Sequence, residues 1–313
     1  MHTLTFELEA VPPYSFELTV HKPAGWSWLI RNEVYKNGTI WSAIRLYSGK
    51  PVGLKLRSMG TVHEPRVRCE AFTRQELINE EKIELQERIG KKLSADEDIR
   101  EFYSLAQRDP VLHEVVKDLY GMRDTPSADV FSGAILAVTL QMAPWKRSMQ
   151  MMESLLETYG ERIAFDSQVI NLWPTPEKLA IVEVEELQKK CKLGYRAQNL
   201  QSIAQTLTIG FPTLEDLEQM STEGAKKKLM ELRGIGGYSA EIISPHRGFP
   251  LDVWSTQIFH RLLFAETPED PRAAISKVRR RAEERWGEWS GYAFIYVLND
   301  LNNLSRKLKL KLN

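Results

Sequence analysis

The hydrophobic period of this chain changes once, near residue 74, and that change limits what it can fold into. Upstream, Leu4-Thr-Phe-Glu-Leu-Glu, Phe16-Glu-Leu-Thr-Val, Ile40-Trp-Ser-Ala-Ile-Arg-Leu-Tyr and Val52-Gly-Leu-Lys-Leu-Arg alternate apolar and polar residues. That is the period of half-buried strands. Turn residues in Lys36-Asn-Gly and Ser48-Gly-Lys separate the runs. From Thr73 the spacing is helical, and Thr73 followed by Glu76 reads as a capping box opening a charged helix to about Lys92. The expected fold class is α+β: an N-terminal antiparallel β domain over residues 1–74, then an all-helical body over 75–313. Helices are expected at 96–107, 110–120, 128–141, 146–159, 176–184, 196–205, 214–219, 225–231, 238–243, 253–264, 271–285 and 290–299.

Composition excludes several function classes. The 313 residues suffice for about two domains. Apolar residues at 42% and charged residues at 27% are ordinary for a globular protein. No stretch approaches the roughly 20 apolar residues needed to span a bilayer, and no signal-like start is seen. An intracellular protein without membrane contact is therefore expected, in cytoplasm, nucleoid or nucleus; it is also expected to be a monomer. Two cysteines, Cys69 and Cys191, exclude a four-cysteine zinc or iron–sulfur centre. His246 and His260 lack companion ligands at metal spacing, so no metal is expected. Net charge is zero, yet residues 221–313 hold 16 Lys+Arg against 11 Asp+Glu, while 76–101 lean acidic. That asymmetry is compatible with one cationic face.

Residues 232–252 carry the densest signal. Gly234 and Gly236, with Gly237 behind them, separate a charged helical stretch from a new apolar helix, and Ile235 is an apolar plug between the glycines. A glycine turn joining two helices leaves backbone N–H groups unpaired at a helix N-terminus, which suits an anion such as a phosphate. The plain alternative is a helix–helix turn that uses glycine only for positive φ. Carbonyls of Leu232 and Ile235 could seat a monovalent cation on the same turn; no other cofactor is expected. Asp252 then stands alone at the head of a further helix. It serves equally as an N-cap or as a carboxylate beside a developing positive charge.

Together with Asp252, four further segments appear in order: Phe131-Ser-Gly-Ala-Ile-Leu-Ala-Val-Thr-Leu-Gln-Met, Glu157-Thr-Tyr-Gly-Glu-Arg, Leu193-Gly-Tyr-Arg-Ala-Gln-Asn-Leu and Trp286-Gly-Glu-Trp-Ser-Gly-Tyr-Ala-Phe. With the hairpin they resemble the helix-hairpin-helix DNA glycosylase superfamily. The likeness is greatest to its AlkA-type 3-methyladenine glycosylases and 8-oxoguanine glycosylases, and it covers residues 110–302. It implies a DNA-repair enzyme that flips a damaged base out of double-stranded DNA and cuts its glycosidic bond. By that resemblance Asp252 is the catalytic carboxylate that supports the sugar cation or activates water. Gly234, Ile235, Gly236 and Gly237 grip the strand. Met142 is the wedge that fills the gap, with Gln141 beside it for the orphaned base, although Gln141-Met-Ala-Pro-Trp145 also reads as a turn stopped by Pro144.

Tyr238 stands where strand-cutting members carry a lysine, so the resemblance implies a monofunctional enzyme, since a phenol forms no imine. Tyr238, Tyr292, Trp289, Phe294 and Trp145 are the candidates for an aromatic box that stacks a cationic, alkylated purine; aromatic residues at helical spacing also build cores. Phe294 occupies the place of the glutamine that reads the base edge in many 8-oxoguanine enzymes. The runner-up readings are a glycosylase for oxidised or deaminated purines such as 8-oxoguanine or hypoxanthine, and a non-catalytic hairpin protein that only binds DNA. His246 and Arg247 are expected on a loop near phosphate, His260 as a partly buried surface residue, and Lys226–Lys228 and Arg279–Arg281 as solvated faces, the lysines adding backbone contacts. Arg233 replaces the usual proline before the turn, and residues 238–252 are shorter than in better-known members.

Overall fold

A computed structural model describes residues 1–24 and 32–309. Five strands, β1 (His2–Glu9), β2 (Val34–Lys36), β3 (Thr39–Arg45), β4 (Pro51–Ser58) and β5 (Arg66–Thr73), form an antiparallel sheet in the order β1-β5-β4-β3-β2. Register pairs Leu4 with Ala71 and Leu56 with Cys69. Along β5, alternate residues Val67, Cys69, Ala71 and Thr73 are buried. This face packs on Leu85, Ile89 and Leu93 of the Asn79–Leu93 helix. The period-two reading thus finds its physical cause in a sheet with one face packed on this helix.

Three expectations need correction. Phe16–Val20 is a helix, not a strand. Ser15 caps it by accepting from the Leu18 N–H, and Phe16, Thr19 and Val20 turn inward; five residues fit either period. Thr73 ends a strand and spends its hydroxyl on the Gln75 carbonyl. The helix starts at Asn79, where Glu81 takes the Ile78 N–H at 3.2 Å. Finally, the helical body is not purely helical. Strands β6 (Glu161–Phe165) and β7 (Gln168–Leu172) form a hairpin. Asp166 and Ser167 turn it with φ of 45° and 59°. The hairpin leans on the first sheet: Phe165 lies so close to Gly53 that a Cβ there would sit 2.4 Å from its ring. Asp166 takes the Trp41 indole N–H at 2.7 Å and pairs with Lys55 at 2.9 Å.

The expected helices are present with shifted ends, and two more appear at Val184–Cys191 and Leu301–Leu308. Arg123, wholly buried, donates to the carbonyls of Pro13 (2.9 Å), Val11 (3.0 Å) and Glu97 (3.0 Å). It thereby staples the N-terminal segment to the helices. The helices enclose two separate apolar cores. One gathers Ile135, Met151, Leu200, Ile235, Ala240 and Ile243. The other gathers Phe102, Phe249, Phe259, Trp286 and Tyr296. No helix among the described residues is long and apolar enough to cross a membrane.

Candidate functional site

The glycine turn joins the Thr222–Leu229 helix to the Gly237–Ile243 helix. Gly234 adopts φ +76°, a conformation that favours glycine, and a Cβ there would stand 2.3 Å from Nδ2 of Asn199, whose side chain would have to shift. Ile235 is 5% exposed and plugs the first core, as its position between glycines suggested. Gly236 is the N-cap of the second helix in extended conformation, without a side-chain cap, and a Cβ on it would meet nothing within 4 Å. Gly237 has only the Lys226 side chain near it, at 3.6 Å. This end of the helix is therefore exposed at Gly236 and its backbone N–H groups take no side-chain cap, the arrangement that attracts anions.

Beyond Ile243 the chain leaves the first core, crosses in residues 244–251 and enters the second at Phe249 and Leu251. Asp252 sits at this seam as N-cap of the Val253–Phe264 helix. Its Oδ1 accepts from the Ser255 N–H at 2.7 Å and the Ser255 hydroxyl at 2.6 Å, and Ser255 Oγ in turn accepts the Asp252 N–H. Asp252 is exposed, and its Oδ2 has no partner among the described residues. One oxygen thus caps the helix, and the other has no partner among the described residues. Asp252 also reaches the hairpin electrostatically. Burial, and then the Asp252 charge, push the half-buried Tyr238 phenol well above its ordinary range. Tyr238 is therefore a neutral O–H at physiological pH.

On the far side of the turn, the Val130–Leu140 helix ends at Gln141. Met142 follows at φ +47° and is 85% exposed, which leaves its side chain standing clear of the protein. Trp145 starts the next helix at 42% exposure. The Gln141 amide, expected to face DNA, instead donates to the Gly234 carbonyl at 2.8 Å and to Ser239 Oγ at 3.1 Å.

The remaining aromatic candidates are not gathered around this opening. Tyr292 is 2% exposed: its hydroxyl donates to Glu97, the Arg247 guanidinium lies 4.6 Å from its ring centre, and Phe102 and Trp289 pack beside it. Phe294 stacks on Phe259 at 5.3 Å and meets Phe249 edge-on. Trp289 is half-buried against Phe102. Packing in the second core thus removes Tyr292 from any open box and leaves Phe294 partly buried against the edge of that core. Arg247 does not stand free for phosphate, because both its terminal nitrogens hold Glu97, at 2.5 and 2.7 Å. Burial raises the Glu97 carboxyl against the pull of Arg247 and Tyr292. His246 contacts the Leu217 carbonyl at 3.3 Å, and His260 is buried at 3% rather than a surface residue. Lys226 is committed to Glu241, which also holds Arg279, so two expected solvated charges are structural ties across the seam.

Sequence reasoning missed Asn199, Ser255 and Trp254. Ser255 was legible three residues after Asp252 as a capping-box partner. Trp254, 41% exposed two residues after Asp252, carried no periodic signal of its own. Among the described residues no three His, Cys, Asp or Glu side chains are arranged to hold a metal.

Residues 135–287 match the family described as HhH-GPD superfamily base excision DNA repair protein. The chain is similar to the DNA-3-methyladenine glycosylase of Bacillus subtilis (strain 168), with 24% identity over 211 residues that cover 64% of this chain and 67% of that protein. Among solved structures it is similar to a 3-methyladenine DNA-glycosylase from Archaeoglobus fulgidus, with TM-score 0.75 and 20% identity over 97% of this chain and 99% of the other. It is also similar to the apo form of the Clostridium acetobutylicum 8-oxoguanine glycosylase/lyase, with TM-score 0.69 and 17% identity over 94% and 95% of the two chains. At these identities the two structures share its fold.

Proposed function

We propose that this chain, whose residues 135–287 match the HhH-GPD superfamily of base excision DNA repair proteins, is a member of that superfamily and a monofunctional DNA N-glycosylase that releases an alkylated purine from duplex DNA. The observation that carries this reading is Asp252: exposed, oriented by Ser255, left with one oxygen uncommitted, and close enough to the hairpin for its charge to act on Tyr238. Cleavage of the glycosidic bond builds positive charge on the sugar, and a fixed carboxylate stabilises that charge without reorganising. The N–H groups at Gly236 and Gly237 hold the strand's phosphate. Met142 enters the stack, and the extruded base lies against the neutral, electron-rich Tyr238 ring. A cationic alkylated purine is both attracted by that ring and a good leaving group, so little proton donation is needed.

Tyr238 has no amine with which to form an imine to the sugar, which supports release by water without strand cutting. A monovalent cation would take the carbonyls of Leu232 and Ile235; the first already accepts the Ile235 N–H at 3.1 Å and keeps a second lone pair. The protein is taken to act inside the cell, as a monomer on double-stranded DNA. The second reading, release of an oxidised or deaminated purine, draws on the fold shared with an 8-oxoguanine enzyme. It would need polar contacts to the base edge. A panel of duplexes with single lesions, scored for abasic sites with and without alkali, tests the proposal. Release of alkylated purines with breaks only after alkali is expected. Breaks without alkali, or a borohydride-trapped complex, would overturn the monofunctional assignment. No release from any lesion would leave a protein that only binds DNA.

A further inference from the structure

We infer that Gln141 is a positioning residue that fastens the wedge to the strand grip, so that intrusion at Met142 and phosphate capture at the hairpin occur in fixed register. The inference rests on the glycosylase reading for its purpose, but its geometry stands apart from it. Gln141 lies between the end of one helix and Met142, 93 residues before Gly234. Its two amide hydrogens reach both sides of the hairpin, the Gly234 carbonyl and the Ser239 hydroxyl. A primary amide has two N–H donors, so none is left over for an orphaned base.

The backbone of the same residue is held as well. Its carbonyl accepts from the guanidinium of Arg196, which is 9% exposed and lies over the Tyr195 ring at 4.6 Å. Arg196 is three residues from Asn199, the side chain on which Gly234 rests. On the other flank Ser148 donates to the Thr139 carbonyl at 2.8 Å. Met142 itself is left-handed and unpacked, a conformation that persists only when its surroundings impose it. What imposes it here is the anchoring of residue 141. A wedge on an unanchored turn would strike the duplex at varying positions relative to the gripped phosphate.

The test uses Gln141→Met, which keeps length and removes both donors, with a fluorescent purine analogue beside the target base. Affinity for undamaged duplex and the thermal midpoint are expected to stay at parent values. Extrusion, read by the fluorescence rise, and single-turnover release from a paired lesion are expected to slow on the order of tenfold to a hundredfold. The same defect is expected with every opposite base, and a lesion opposite an abasic site, already poorly stacked, restores most of the rate. Met142→Ala should produce the same defect without adding to the first. Unchanged extrusion overturns the inference. A defect that varies with the opposite base also overturns it, since Gln141 would then read that base directly. Lost affinity would make Gln141 part of the grip instead. If the parent extrudes the analogue but releases no base, the glycosylase reading fails while the fluorescence still decides the role of Gln141.

Discussion

Residues 232–252 and 286–300 both carry signatures expected to meet DNA, and the structure treats them in opposite ways. In the first, the groups of interest are backbone amides and one carboxylate, left open at the seam between two cores. In the second, the groups are aromatic side chains, and the second core engages them: Tyr292 is buried and tied to Glu97, and Phe294, partly buried, stacks on Phe259 and meets Phe249 edge-on. The difference is one of range. A glycine turn and an N-cap are set by neighbours a few residues away, whereas an aromatic ring becomes pocket or core according to what packs against it from far along the chain.

The contrast is broken most directly at Asp252. Asp252→Asn should cut base release on the order of a hundredfold to a thousandfold, yet leave thermal stability unchanged because Asn caps helices as well as Asp. Single-turnover kinetics and a melt on the same preparation check this. Loss of melting temperature with release retained would reduce Asp252 to a cap. Phe294→Ala should do the reverse, lowering stability in denaturant by about 2–4 kcal/mol while release per folded molecule is kept. A raised KM at unchanged stability would return Phe294 to the pocket.

The hairpin glycines sharpen the comparison within the first region. Gly234→Ala forces a positive-φ side chain into Asn199 and should cost about 1–3 kcal/mol. Gly236→Ala meets open space, so it should leave the melt alone and weaken DNA binding by standing where the phosphate approaches. Equal melting losses for the two would contradict the open-amide geometry. The smallest effect lies at the end of the second region. Asp300, 3% exposed, has its carboxyl pushed up from 3.8 to about 6 by burial, with the Asp118 charge adding to it against the Asn303 hydrogen bond. A raised folded value means that the protonated form is favoured, so stability is lost as pH rises from about 3.8 through about 6. Asp300→Asn should therefore stabilise by on the order of 1 kcal/mol above that window and not below it, as pH-dependent melts would show.

Much of the fold was legible. Alternation exposed most of the first sheet, and the helical body followed from period and punctuation. The β6–β7 hairpin was not, because its Asp166-Ser167 turn lacks the Gly that usually marks left-handed turn positions. Phe16–Val20 was too short for its period to decide. Within the candidate site, the left-handed Gly234, the helix-capping place of Asp252 and the turn at Met142 were foreseeable from local pattern or family likeness. The use of Gln141, Arg196, Asn199, Arg247 and Glu97 could not, since each depends on a partner more than thirty residues away.

The bonding of Asp252 to Ser255 carries a last consequence for which carboxylate can occupy the site. Aspartate is short enough to close a ring onto the amide three residues ahead, and that ring aims its spare oxygen along one direction. Glutamate, one methylene longer, would either abandon the ring and swing loosely or keep it with the spare oxygen displaced. Charge is conserved in that exchange while aim is lost, so the chain tolerates the amide of the same length better in its fold, and the longer acid poorly in its chemistry.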